Sequence, residues 1–402
     1  MRNKVIVIGC GTGGLAVIRG LSAYSEIEII ALAHTLSEIG CVSRYVSELI
    51  HCPHPGREET AFIAFLMQRG EQWKGSLLIE AGDYMAVAVA KHKQRLQQYY
   101  RTSIADFPVL QRLIEKDHLY RLAEECGVPY PTTFYPKTME ELERVREPVP
   151  FPCILKPVNS HLFVSRYGVK NFEVTNADAL RRSFQRCLAD NLEVMIQEII
   201  PGPDSCLERL ETYINSKGKY SARFYMNKLR QHPPKFGVMR VGYSVGRNQE
   251  AELLSERMLQ HVNYRGYASV EFKRDQRDSR LKLMEINVRM PRPGLLAIAA
   301  GVNFPWIIYQ DIIKDEQIYV EAYKLGFYWI ELLPDLWNIV FNPYGEKRYT
   351  LSEFLRPYLS SRKTFAIFDW KDPWPFLRLV KNGVAALLGL KLPARTRREA
   401  IN

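Results

Sequence analysis

The sequence has no continuous apolar run of about 18 residues, the length a helix needs to cross a bilayer. Its longest candidate, Gly294–Tyr309, is shorter and is interrupted by Asn303 and Pro305. The first residues lack the basic region, apolar stretch and cleavage site of a secretory leader, so a cytoplasmic location is expected. C-x-x-C pairs are missing too. The seven cysteines are scattered and odd in number, which argues against a disulfide framework and a structural zinc site. Cys10 and Cys153 lie in or beside apolar runs, where a free thiol behaves as a small hydrophobe. Repeats and low-complexity tracts are absent, and 402 residues at 47% hydrophobic content point to two or three packed domains.

Acid is in deficit, with 44 acidic against 55 basic residues and a net charge of +11. Nucleotide phosphates, nucleic acid or an acidic membrane would each suit that balance, and so would a solubilising surface bias. Part of the excess is local: Arg378–Arg398 carries several basic residues and no acid.

What is present begins with an apolar strand at residues 4–8, then Gly9-Cys-Gly-Thr-Gly-Gly14, a helical pattern, and a second strand over Ile27–Leu32. This is a β-turn-α-β opening of a doubly wound domain. Gly9, Gly11 and Gly14 fit G-x-G-x-x-G, but a dinucleotide site expects an acid at the end of the second strand. None stands there before Glu38. A glycine turn kept for packing or for a substrate anion is the preferred reading.

Four later segments carry more. Glu115–Pro131 is a charged amphipathic helix running into Gly-Val-Pro-Tyr-Pro, with Lys116 near its start. In Phe151–Pro157, Lys156 ends a buried strand, which is costly unless its ammonium meets an anion or solvent. Gln197–Asp204 ends a strand in a Pro-Gly-Pro turn. In Gly266–Lys273 and Lys282–Arg289, two strands joined at Asp275–Arg280 bring Glu271 and Glu285 together. Glu285 and Asn287 are two apart and share a face, giving hard oxygen ligands suited to Mg²⁺. Lys228 and Arg230 follow the same period-two rule; they are either an anion-binding pair or charges guarding an edge strand.

In this order, across residues 4 to 315, the segments resemble the ATP-grasp superfamily. Within it they resemble the carboxylate–amine ligases, a class that includes D-aspartate ligase and biotin carboxylase-like enzymes. The resemblance implies a mixed α/β and α+β fold. A Rossmann-like pre-ATP-grasp domain is expected over 1–110, and a two-lobed ATP-grasp domain over 111–315, divided near 195. A short C-terminal extension follows over 316–402. It implies that Lys116 and Lys156 reach the ATP phosphates, with Lys170 a weaker contact. Gln197, Glu198, Ile199 and Ile200 form the adenine hinge, and Asp204 takes the ribose. Glu271, Glu285 and Asn287 hold Mg²⁺, with Mn²⁺ compatible, and Arg289 steadies the transferring group. On the residues alone, Lys228 and Arg230 either hold the γ-phosphate or acyl phosphate or guard an edge, and Arg292 is a candidate contact for the carboxylate substrate. Val158–Lys170, with Asn159-Ser-His161, stands where relatives close a flap.

The expected function is an ATP-dependent carboxylate–amine ligase that forms an amide through an acyl phosphate. An ATP-binding regulatory protein without turnover and an NAD(P)-dependent oxidoreductase are the alternatives. Partners are a small-molecule carboxylate and an amine, not nucleic acid; a homodimer is left open. The basic C-terminal tail, with Phe376, Val380, Val384, Leu387 and Leu388 on one side and Gly383 and Gly389 weakening the helix, is read as packing on the protein's own core in preference to a membrane.

Overall fold

The computed structural model describes residues 3–144, 150–158, 160–232, 236–341 and 349–387. The first apolar run becomes β1 (Asn3–Ile8), followed by β2 (Ile27–Ala33), β3 (Glu48–His51), β4 (Leu77–Glu80) and β5 (Arg101–Thr102). They form a parallel sheet of order β3-β2-β1-β4-β5. Helices cover both faces of β1, so Val5 to Ile8 are all fully buried, and the strand reads as unbroken apolar sequence.

A second sheet is antiparallel and holds β6 (Thr133–Phe134), β7 (Cys153–Pro157), β8 (Phe172–Val174) and β9 (Val194–Glu198) in the order β6-β9-β7-β8. Phe163, Phe184, Leu155 and Ile196 fill the core beneath it. The division expected near residue 195 falls inside β9, which stays with this lobe through Glu198.

The third sheet contains β10 (Leu207–Ile214), β11 (Tyr220–His232), β12 (Val238–Ser244), β13 (Gly266–Arg274), β14 (Leu281–Asn287), β15 (Tyr328–Ile330) and β16 (Lys363–Phe365). Their order is β14-β13-β10-β11-β12-β15-β16. The tail is therefore not an appendage: β15 pairs antiparallel with β12, and β16 parallel with β15. The short strands Tyr328–Ile330 and Lys363–Phe365 carry too few residues for a period to show.

The register between β11 and β12 is irregular between Lys228 and Gln231. Among the described residues no single helix is long and apolar enough to cross a membrane; the bent pair Gly294–Ala300 and Phe304–Lys314 comes nearest by composition. Leu296, Phe304 and Tyr309 of that pair are fully buried in the protein's own core.

Candidate functional site

Glu271 and Glu285 are direct cross-strand partners on β13 and β14, and Ser269 faces Asn287 two residues along. Beside Glu285 the register shifts, with Met284 as the extra residue, so the strand bends next to the two carboxylates. Asn287 donates its amide to Glu285 Oε1 at 2.9 Å. Three side chains with hard oxygen donors thus stand together at the edge of the third sheet.

Cations surround them. Lys116 Nζ lies 3.7 Å from Glu285 and donates to the Met284 carbonyl at 3.0 Å. Lys228 Nζ lies 3.6 Å from Glu271, and Arg209 of β10, directly opposite Glu271, forms an ion pair with it. Burial opposes the charge on Glu285, but Lys116, Arg209, the Asn287 amide and Lys228 outweigh it and hold its carboxyl at about 2. Burial likewise opposes the Lys116 ammonium, and Tyr120, Glu285 and Glu271 overcome that and hold its pKa above the ordinary value.

Lys156 is placed differently. Its ammonium donates to Gln197 Oε1 at 2.6 Å, a neutral partner. Burial and repulsion from Lys116 push its pKa down to about 7. Gln197 is fully buried, and its amide donates to Tyr120 at 2.9 Å and Thr133 at 2.8 Å. It orients Lys156 instead of presenting itself to a nucleotide.

The hinge side chain is also occupied. Glu198 accepts from the Thr132 N–H at 2.7 Å and pairs with Arg277, so its carboxylate ties the hinge together and is not free for an exocyclic amine. Ile199 and Ile200 follow the end of β9, outside the ladder. Asp204 accepts from Gln231 Nε2 at 2.6 Å, and burial raises its pKa.

Lys228 and Arg230 do not share one anion site. The irregular register breaks the period-two rule, and Arg230 makes a two-bond pair with Asp335 at 2.9 and 2.7 Å. Arg289 reaches across to Asp83 of the first domain, at 2.9 and 3.2 Å. Arg292 pairs with Glu331, which also accepts from Arg240. In the flap region a helix, Ser160–Tyr167, stands between Val158 and the exposed Gly168 and Lys170; Asn159 lies outside the described residues.

Sequence reasoning misses Arg209 and Tyr120. Arg209 and Glu211 share one face of β10, which holds none of the segments singled out in the sequence. Tyr120 reads as one more apolar position of its helix, yet its hydroxyl donates to the Met284 carbonyl at 3.2 Å.

The glycine turn at the head of the first sheet serves packing. A Cβ on Gly14 would fall 1.9 Å from the Gly9 carbonyl oxygen, and one on Gly13 would fall 2.8 Å from that of Met290. The Cys10 N–H is taken by the carboxylate of Glu38. A dinucleotide phosphate would have to displace it.

No protein-family model matches the chain. It is 28% identical over 262 residues to the D-aspartate ligase of Enterococcus faecium (strain Aus0004). That match spans 62% of this chain and 62% of the relative, under two thirds of the relative's length. The ADP complex of N5-carboxyaminoimidazole synthetase from Staphylococcus aureus superposes with a TM-score of 0.63 at 15% identity, covering 86% of each chain. The chain has the ATP-grasp fold. The biotin carboxylase domain of the 2-oxoglutarate carboxylase from Hydrogenobacter thermophilus, in complex with MgADP and bicarbonate, agrees equally well in shape. Its TM-score is 0.63 at 15% identity, over 82% of this chain and 73% of that one. The Glu271–Glu285 pair lies on the third sheet.

Proposed function

We propose that the chain is an ATP-dependent carboxylate–amine ligase of the ATP-grasp type, which forms an amide through an acyl phosphate. The observation that carries this reading is charge placement. Glu285, Glu271 and Asn287 gather oxygen donors at one point, while the half-buried Lys156 opposite has no carboxylate partner among the described residues. A triphosphate between them supplies the anion that Lys156 lacks, and the oxygen cluster suits the accompanying divalent ion.

The donor set fits Mg²⁺, and Mn²⁺ is compatible with the same oxygens. Around it the buried Ser269 Oγ and Arg209 Nε have no hydrogen-bond partner among the described residues. Such groups call for ligand or water. Mg²⁺ when bound neutralises charge on the β- and γ-phosphates.

In this reading Lys116 and Lys156 orient the phosphates, and Ile199 and Ile200 offer backbone groups to adenine. Asp204 faces the ribose, with Gln231 fixing its carboxylate. A substrate carboxylate oxygen attacks the γ-phosphorus, ADP leaves, and an acyl phosphate forms; an amine then attacks its carbonyl carbon, phosphate leaves and the nitrogen gives its proton to solvent. Arg289 is poised to receive the carboxylate by exchanging away from the exposed Asp83. Lys228, held next to Glu271, faces the transferring phosphoryl group. Positioning and fixed charge supply the catalysis, and no nucleophilic side chain is needed. Small carboxylates and amines are the substrates, and the cytoplasm is where MgATP is available to it.

ADP release with MgATP, measured over amino acids paired with amines beside Glu285→Gln, tests the proposal. Pair-dependent turnover, reduced at least about a hundredfold in the variant, is expected. MgATP binding without turnover on any pair would favour the regulatory alternative, and failure to bind ATP would overturn both.

A further inference from the structure

The helix Trp374–Leu387 closes the described chain and is anchored on one side only. Asp372, fully buried, fastens its start to the first domain: it pairs with Arg19 at 3.1 Å and accepts from Ser43 Oγ at 2.8 Å and the Arg44 N–H at 2.9 Å. Phe376 and Leu379 pack inward on the core around β1. Of the side expected to pack on the core, Phe376 does so, while Val380 and Val384 are 39% and 49% exposed. Trp374 is 55% exposed, Leu377 52% and Val384 49%, and the steps of three and seven residues between them set them along one stripe. Trp370, just before the helix, is 84% exposed. Leu388 and Gly389 lie outside the described residues.

Between this stripe and the first domain runs an open groove of about 590 Å³. Val42, Val46, Leu49 and Leu377 give it apolar walls, and Arg44, Arg378 and Lys381 also line it. Arg44 and Arg378 spend hydrogen bonds on the backbone carbonyls of Lys371 and Leu36, at 3.2 and 3.0 Å. None of these three cations has a carboxylate within ion-pair distance among the described residues. The nearby acid, Asp372, is consumed by Arg19, Ser43 and the Arg44 backbone. The sequence continues the bias with Lys391, Arg395, Arg397 and Arg398.

We infer that the groove and the outer stripe of this helix bind an anionic lipid surface, the acyl region against Trp370, Trp374 and Leu377 and the headgroups on Arg44, Arg378 and Lys381. An acidic protein partner would satisfy the cations but leave two exposed indoles without purpose. Indole rings favour the headgroup boundary, where an apolar body and a polar N–H are both accommodated. Amphipathic helices with one basic and one aromatic-aliphatic side lie in that plane. No residue lining the groove is among the partners of Glu271, Glu285 or Lys156, so surface binding and nucleotide binding can be tested separately.

The test is co-sedimentation of the full chain with vesicles of phosphatidylcholine, with and without phosphatidylglycerol, at low and high salt. Binding is expected only to the anionic vesicles, with a blue shift of tryptophan emission and weakening at high salt. Arg44→Glu with Lys381→Glu should weaken it about tenfold or more, and Trp370→Ser with Trp374→Ser should abolish the blue shift. Unchanged ADP binding and thermal melting would show that these variants fold. Three results would overturn the inference: no sedimentation with anionic vesicles by the wild-type chain, equal binding to neutral ones, or a dimer in solution that Leu377→Glu dissolves and vesicles do not disturb.

Discussion

Lys156 and Gln197 meet across β7 and β9, ammonium to amide oxygen at 2.6 Å, and the amide's other end is fixed by Tyr120 and Thr133. The lysine is thus held in place by a neutral group and pushed down to about 7 by burial and by Lys116. A ligand that brings phosphate to it must raise that value.

The consequence is proton uptake. Above pH 7 the ligand-free protein carries Lys156 partly neutral, and the nucleotide complex carries it charged. Affinity for MgADP should therefore fall as pH rises through about 7.5 to 9, by up to about tenfold per unit. Calorimetry at pH 8 in two buffers of different ionisation enthalpy should show close to one proton absorbed. Lys156→Met should bind more weakly and show no buffer dependence. A wild-type protein with no buffer dependence would refute the assignment.

The Arg230–Asp335 pair makes a separate prediction about stability. Both side chains are almost fully buried, at 3% and 2% exposure, and Tyr358 donates a further bond to Asp335 at 2.6 Å. Removing one partner leaves the other charge buried and alone. Asp335→Ala should cost about 3–5 kcal/mol in chemical denaturation. The double change Arg230→Met with Asp335→Leu should recover much of that, because no charge is then stranded. Nucleotide affinity should stay near wild type in the double variant, since this pair docks the tail and does not face the phosphates.

Gly13→Ala probes the junction between the first domain and the segment that follows β14. The added methyl would stand 2.8 Å from the Met290 carbonyl, one residue beyond Arg289. Backbone on both sides must give, which should cost about 1–3 kcal/mol in stability. The shift should also lower kcat while nucleotide affinity changes little, because Arg289 moves and the phosphate lysines do not. Gly11→Ala, with nothing within 4 Å of its new methyl, is the control expected to melt like wild type.

Much of this site is legible in the order of its residues. The period of a strand puts Glu285 and Asn287 together, and the hairpin that the turn at Asp275–Arg280 demands brings Glu271 to them. Those are local rules, and local sequence obeys them. Arg230 breaks the same rule because an irregular register cannot be read from alternation alone. Glu198 stands where adenine is expected, but Arg277, 79 residues away, holds its carboxylate.

Local order is enough for the elements: a parallel α/β opening, a lysine at the end of a buried strand, and two carboxylates on one hairpin. Period and turn chemistry act over a few residues and leave their mark in the order of side chains. Which charges are spent and which are free is settled by contacts across the fold. Pairings such as Arg230 with Asp335, Arg289 with Asp83 and Cys10 with Glu38 join segments far apart in the chain. So does the addition of β15 and β16 to the end of the third sheet. Their energies depend on burial and distance, and neither is written in the spacing of residues along a strand.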